Sequence, residues 1–277
     1  MLDKFIFENH LGQRFDGLAN GVYLNYCDLR DYMWEYETIN NRISRFYRPV
    51  TSRNLPLVFY GETDKKAIEA KNRLLELAEA DIEAMLPGKI YVGEYYTTGF
   101  ITASTKKNYL ISKRYGEFDL TFTSNDPAWF REQTYIFLPT EDAGEALIGA
   151  AIDYPFEYKY DYAVTTKTRQ IVFDGVRHNR VKIRIYGEAN NPTITIGNHI
   201  YTVNGMVRAG EKLLVDGVNK TITLTTTSGA KVNWFDRRSR ESYIFEPIPS
   251  GINDVRFNGT FGFDLTVIEE RSEPKWI

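Results

Sequence analysis

Val181-Lys182-Ile183-Arg184-Ile185-Tyr186 alternates apolar and polar residues without a break. A period of two sends successive side chains to opposite faces of a strand, so one face can be buried while the other stays wet. Thr193-Ile194-Thr195-Ile196 and Thr221-Ile222-Thr223-Leu224-Thr225 repeat the pattern, and residues 198–203 and 212–215 are further short runs. Turn dipeptides join them: Asp174-Gly175, Asn204-Gly205, Asp216-Gly217, Ser228-Gly229 and Asn258-Gly259. Short alternating strands with regular turn signals predict a β-sandwich or jelly roll from about residue 160 onward, with no helix in it.

The half that precedes it reads differently. Residues 20–60 are strands and turns, with Tyr32, Trp34 and Tyr36 in period two and residues 55–60 apolar. One helix follows, from Asp64 to Leu86. Ile68, Leu75, Ala78, Ile82 and Met85 are expected on its buried face. Thr63 or Asp64 caps its start, and Pro87-Gly88 ends it. Strands resume at Lys89–Val92, Gly99–Thr102 and Glu117–Thr123. This half is α+β, one helix on a sheet or split barrel. Between residues 124 and 160 the periodicity loosens around the turn Ser124-Asn125-Asp126-Pro127. Residues 144–151 are small and apolar enough for a short helix. The domain boundary belongs here, giving domains 1–138 and 139–277.

Composition agrees with a β-rich protein. Of 277 residues, 14% are aromatic, and 19 Tyr and 17 Phe supply most of them. The net charge of −3 lacks the basic excess of a general nucleic-acid binder. The lone Cys27 makes no internal disulfide and no thiolate metal site. Asp3, Glu8 and Arg14 interrupt the N-terminal region, so no signal-peptide core is expected. No apolar run approaches a membrane span, and no membrane association is expected.

Catalytic patterns are absent. His10, His178 and His199 stand apart, with no His-Glu-x-x-His, phosphate-binding loop, dinucleotide fingerprint or nucleophile elbow. Glu94, Glu117 and Asp119 lie on strands, where solvated positions explain them more simply than a converging pair. No cofactor, metal site or catalytic residue is expected. Arginines cluster twice. Arg42, Arg45, Arg48 and Arg53 surround Phe46 and Tyr47, a mixture that marks protein–protein contacts. Arg237, Arg238 and Arg240 follow Trp234-Phe235-Asp236, and this second cluster reads as a solvated loop. Trp234 beside Asn233 and Asp236 is the best candidate for a sugar site, although a core Trp explains it as well.

Five segments together resemble one family, the distal tail proteins (Dit) of siphophages and prophages. They are Phe122-Thr123-Ser124-Asn125-Asp126-Pro127-Ala128-Trp129-Phe130, Tyr154-Pro155-Phe156-Glu157-Tyr158, residues 187–220 with Gly210-Glu211-Lys212-Leu213, Pro249-Ser250-Gly251-Ile252-Asn253, and the ending Arg271-Ser272-Glu273-Pro274-Lys275-Trp276. The resemblance covers nearly the whole chain. It implies an N-terminal domain that builds a ring of six copies around a central channel, and a galectin-like C-terminal β-sandwich that projects outward. The ring would join the tail tube to the tip or baseplate hub protein, with DNA passing through without specific contacts. The place would be the virion tail tip, and the host cytoplasm during assembly. There is no room for a large inserted carbohydrate-binding module. Within this frame residues 30–60 and the helix supply inter-subunit contacts, and Trp276 packs back on the body or on a neighbour. The alternative is a glycan-binding sandwich for attachment to the host surface. A cell-wall hydrolase is the third reading.

Overall fold

The structure is a computed structural model that describes residues 4–108, 112–139, 170–173, 175 and 177–276. The expected helix at 144–151, the segment Tyr154–Tyr158 and Asp174 lie outside the described residues. The described residues are mainly β with one α-helix, and the chain divides into two compact units. The first comprises Met1–Arg131 with Glu270–Ile277, and the second Glu132–Glu269.

In the first unit, antiparallel strands follow the order Val22–Leu24, Thr51–Tyr60, Tyr115–Ser124, Tyr95–Lys107, Gly88–Val92, Ile6–Glu8 and Arg14–Asp16. Tyr95–Lys107 works twice. Its first half pairs with Gly88–Val92 and its second with Tyr115–Ser124, across a register shift between Ile101 and Ala103. A bulge of this kind bends the strand and turns one sheet into a curved one. Inward residues alternate along the strands: Leu55, Leu57 and Phe59, then Phe118, Leu120 and Phe122. With Phe5, Phe7, Phe15 and Trp129 they form one core.

The helix runs Asp64–Ala84. Thr63 is extended and its Oγ1 accepts the Lys66 N–H at 3.2 Å. Met85 closes the other end in the left-handed region, at φ 54°. The buried face is a correction to the sequence reading. Ala67, Ala70, Leu74, Leu77, Ala78 and Asp81 face inward, whereas Ile68, Ile82 and Met85 are exposed and Leu75 is half-buried. Alanines let the helix lie close to the sheet, and the bulkier residues are left on its flank. Asp81 is fully buried, and its Oδ1 accepts the His10 backbone N–H at 2.8 Å and lies 2.6 Å from His10 Nδ1. A side chain at Gly88 would collide with Asp81 and with the Phe7 ring, so glycine is required as the chain leaves the helix.

The second unit holds two larger antiparallel sheets around a second core, beside a short pair of Ala189–Asn190 with Met206–Val207. One runs Lys231–Asn233, Thr221–Thr225, Lys212–Asp216, Arg180–Tyr186 and Gly262–Arg271. The other runs Gln170–Phe173, Gly251–Phe257, Thr193–Ile196 and His199–Thr202. Ile183, Val215, Ile222 and Leu265 from one, and Ile171, Ile194, Tyr201 and Val255 from the other, share that core. The strands read from periodicity in this half are present, and among the described residues only a short 3-10 turn, Phe235–Arg237, is helical. Trp129–Phe137 is a strand that the sequence reading left as loosened structure.

Candidate functional site

The strands Glu35–Ile39 and Arg42–Tyr47 form a hairpin that pairs with no other described strand. Asn40 and Asn41 both take positive φ, 50° and 57°, as a two-residue hairpin turn requires. No residue of the hairpin is buried. The register sets its two faces. Tyr36 opposes Phe46, Glu37 opposes Arg45, and after a shift between Glu37 and Thr38, Thr38 opposes Ile43. The bulge brings Ile43 onto the same face as Tyr36 and Phe46, which a regular strand would not do. The result is an apolar face with Tyr36, Ile43 and Phe46 at 59%, 53% and 58% exposure. The Tyr36 and Phe46 rings meet edge-on, 6.4 Å between centroids. Glu35, Glu37, Arg45 and Tyr47 occupy the other face. There the Tyr47 hydroxyl donates to Glu35 at 2.6 Å, and this bond raises the Tyr47 pKa. Isolated two-stranded hairpins are marginal in water, and this one buries none of its own residues.

The arginines named from sequence separate into two groups. Arg42 and Arg45 stay on the exposed hairpin with Phe46 and the half-buried Tyr47. Arg48 and Arg53 are taken up inside the first unit. Arg48 forms ion pairs with Glu270 and, at 3.3 Å, with Asp126, and stacks over Trp34 at 5.0 Å. Arg53 is 2% exposed and donates to the carbonyls of Asp31 at 3.0 Å and Pro127 at 3.4 Å. Burial lowers its pKa, and the nearby Asp28 and Asp31 carboxylates oppose that shift. Both arginines therefore hold the Asp126-Pro127 turn.

The C-terminal segment is held by the same part of the molecule. Trp34 Nε1 donates to Ser272 at 3.2 Å, and Arg30 donates to the Pro274 carbonyl at 3.4 Å. Arg30 also lies over the Trp276 ring at 4.3 Å, although most of that ring stays exposed. The segment therefore packs back on its own body through residues 270–276.

The residues considered for a sugar sit in the second unit. Trp234 packs against the core, and Gly205, at φ 153°, lies so close that a Cβ there would reach the indole. Asn233 Oδ1 accepts the Phe235 N–H at 2.9 Å, and Asp236 is fully exposed. Asn233 and Phe235 line a shallow, open depression with Lys220, Lys231, Thr221 and Thr223. Trp234 is not part of its lining. The carboxylates Glu94, Glu117 and Asp119 are separately engaged, by Arg131, by Tyr115 and Asn108, and by Lys107. Among the described residues no three His, Cys, Asp or Glu side chains gather as a metal site, and no helix is long and apolar enough to cross a membrane.

No family model and no curated protein matches the chain in sequence. Solved structures do. The Dit protein (gp 19.1) of phage SPP1, described as a paradigm of the hub adsorption apparatus in phages infecting Gram-positive bacteria, superposes with a TM-score of 0.57 at 12% identity. That match covers 96% of this chain and 99% of the SPP1 chain. This chain has the Dit fold. Chains of the phage P2 baseplate in its activated conformation, one with Ca and one with Sr, superpose with TM-scores of 0.61 at 10% identity over 99% of this chain and 100% of theirs. Both units are thus accounted for by the same full-length fold. The interface candidates Arg42, Arg45, Phe46 and Tyr47 lie on the second strand of this hairpin, which the sequence reading did not identify as a hairpin. The signal available was Asn40-Asn41 between alternating residues.

Proposed function

We propose that this chain is a structural distal tail protein of a siphophage or prophage, without enzymatic activity. Its copies close into a ring, six in number by the family pattern, that joins the tail tube to the tip or baseplate hub around the DNA channel. The observation that carries this reading is the end-to-end likeness to the SPP1 Dit protein and the P2 baseplate chains. The unpartnered amphipathic hairpin supports it, because a head-to-tail interface closes a ring and covers such surfaces. The first unit is the ring-forming domain, and the second is the galectin-like sandwich at the periphery. The virion tail tip is its place, after assembly in the host cytoplasm. The net charge of −3 suits a channel that makes no specific DNA contacts.

Negative-stain imaging of the purified protein tests this directly. Closed particles with a central hole are expected. Open filaments would contradict the ring. Binding on a glycan array that is lost on substituting Asn233 and Phe235 would move surface attachment to the front.

A further inference from the structure

Residues 217–240 carry five cations, Lys220, Lys231, Arg237, Arg238 and Arg240, against one carboxylate, Asp236. That is a net charge of +4 within a chain whose total is −3. The segment builds one margin of the second unit. Thr221–Thr225 pairs with the edge strand Lys231–Asn233, and the 3-10 turn Phe235–Arg237 follows. Ile222 and Leu224 turn into the core, so Thr221, Thr223 and Thr225 stand on the outer face. Thr221 and Thr223 line the shallow depression together with Lys220, Lys231 and Asn233. Neither threonine hydroxyl, nor Asn233 Nδ2, makes a hydrogen bond to another described residue.

Rings and carbonyls, rather than carboxylates, hold the cations here. Lys220 Nζ lies 5.4 Å from the Tyr243 ring centroid and 5.5 Å from that of Phe245, and donates to the Phe245 carbonyl at 3.4 Å. Phe245 stacks on Phe235 at 6.1 Å. Arg238 lies over the Phe235 ring at 4.1 Å and donates to the Phe235 carbonyl at 2.8 Å. Arg237 lies over Trp234 at 5.8 Å. The nearest carboxylate, Asp236, is fully exposed and 3.9 Å from Arg238, a pairing that water screens. Cations elsewhere on the surface do meet carboxylates, as Lys107 meets Asp119 and Arg114 meets Asp64. A cation set on a ring is oriented without losing its charge. This margin therefore offers positive charge beside hydroxyl and amide donors, the set that grips phosphate oxygens. It offers no base platform. Stacking a nucleobase needs a free aromatic face, and Phe235 already carries Arg238 and Phe245 while Trp234 packs against the core.

We propose that this margin binds the phosphate groups of an anionic carbohydrate polymer. Lys220 and Lys231 meet the charge, and Thr221, Thr223 and Asn233 bond to the neighbouring oxygens. Arg237, Arg238 and Arg240 extend the positive field along the chain of the ligand and speed its approach. The site lies wholly in the second unit and does not depend on the ring reading.

Binding of the full chain to phosphorylated dextran, read by biolayer interferometry at several salt concentrations, tests it. The wild type is expected to bind, and to bind less as salt rises. Unmodified dextran and single-stranded DNA of equal charge should bind more weakly. Lys220→Gln/Lys231→Gln should weaken binding to phosphorylated dextran about tenfold. Its thermal melt should match that of the wild type, because both side chains are exposed. Lys65→Gln/Lys113→Gln removes the same charge from exposed positions of the first unit and should bind as the wild type does. No binding to phosphorylated dextran, or an equal loss in both double variants, would overturn the site. Equal binding of DNA would overturn the carbohydrate assignment, and equal binding of unmodified dextran would overturn the role of charge.

Discussion

Arg48 shows how much of the first unit hangs on single polar contacts. Its guanidinium joins Asp126, at the end of the core sheet, to Glu270, at the start of the C-terminal segment, and lies over Trp34. Truncating one partner of such a mostly buried pair leaves the other charge uncompensated. Arg48→Ala is expected to lower stability by about 2–3 kcal/mol, read from urea unfolding. Glu270→Ala should cost a similar amount, and the double variant less than the sum, since both act on one network. Arg53 works beside it on the Pro127 carbonyl. In sequence these two arginines are indistinguishable from Arg42 and Arg45. All four stand among aromatics; the pairing of Thr51–Tyr60 with Tyr115–Ser124 turns Arg53 inward, and Asp126 and Glu270 draw in Arg48. Trp129, fully buried in the same core, should cost about 3–5 kcal/mol on change to Ala.

At the scale of elements, alternation made the strands legible and failed where burial was not one-sided. Arg180–Tyr186 buries Val181, Ile183 and Ile185, so its period of two is complete. Trp129–Phe137 packs aromatic residues at both ends around Arg131, Glu132 and Gln133, and no periodicity survives. The helix was legible in extent and misread in phase. A hydrophobicity pattern weights Ile68 and Ile82 above Ala67, Ala70 and Ala78, while close packing on a sheet prefers the small residues. The same misreading exposes the helix flank as a surface in its own right. The hairpin is separable from the fold, because none of its residues is buried. Replacing residues 37–45 by a short Gly-Ser link should leave the cooperative melt in place and abolish assembly, as size-exclusion chromatography would show. Deleting residues 272–277 removes the Ser272, Pro274 and Trp276 contacts with Trp34 and Arg30. It should lower stability by about 1–2 kcal/mol.

For the whole molecule, the α+β first half and the all-β second half were readable from periodicity. The return of Glu270–Ile277 to the first unit was not. Its contacts join residues more than 200 positions apart, Arg48 with Glu270 and Arg30 with Pro274, and local pattern carries no trace of them. The proposed ring rests on the Dit fold and on the exposed amphipathic hairpin. The measurement that tests this most directly is size-exclusion chromatography with light scattering across a range of concentrations. A closed species near six times 32.1 kDa is the predicted result. A strict monomer at every concentration would contradict it.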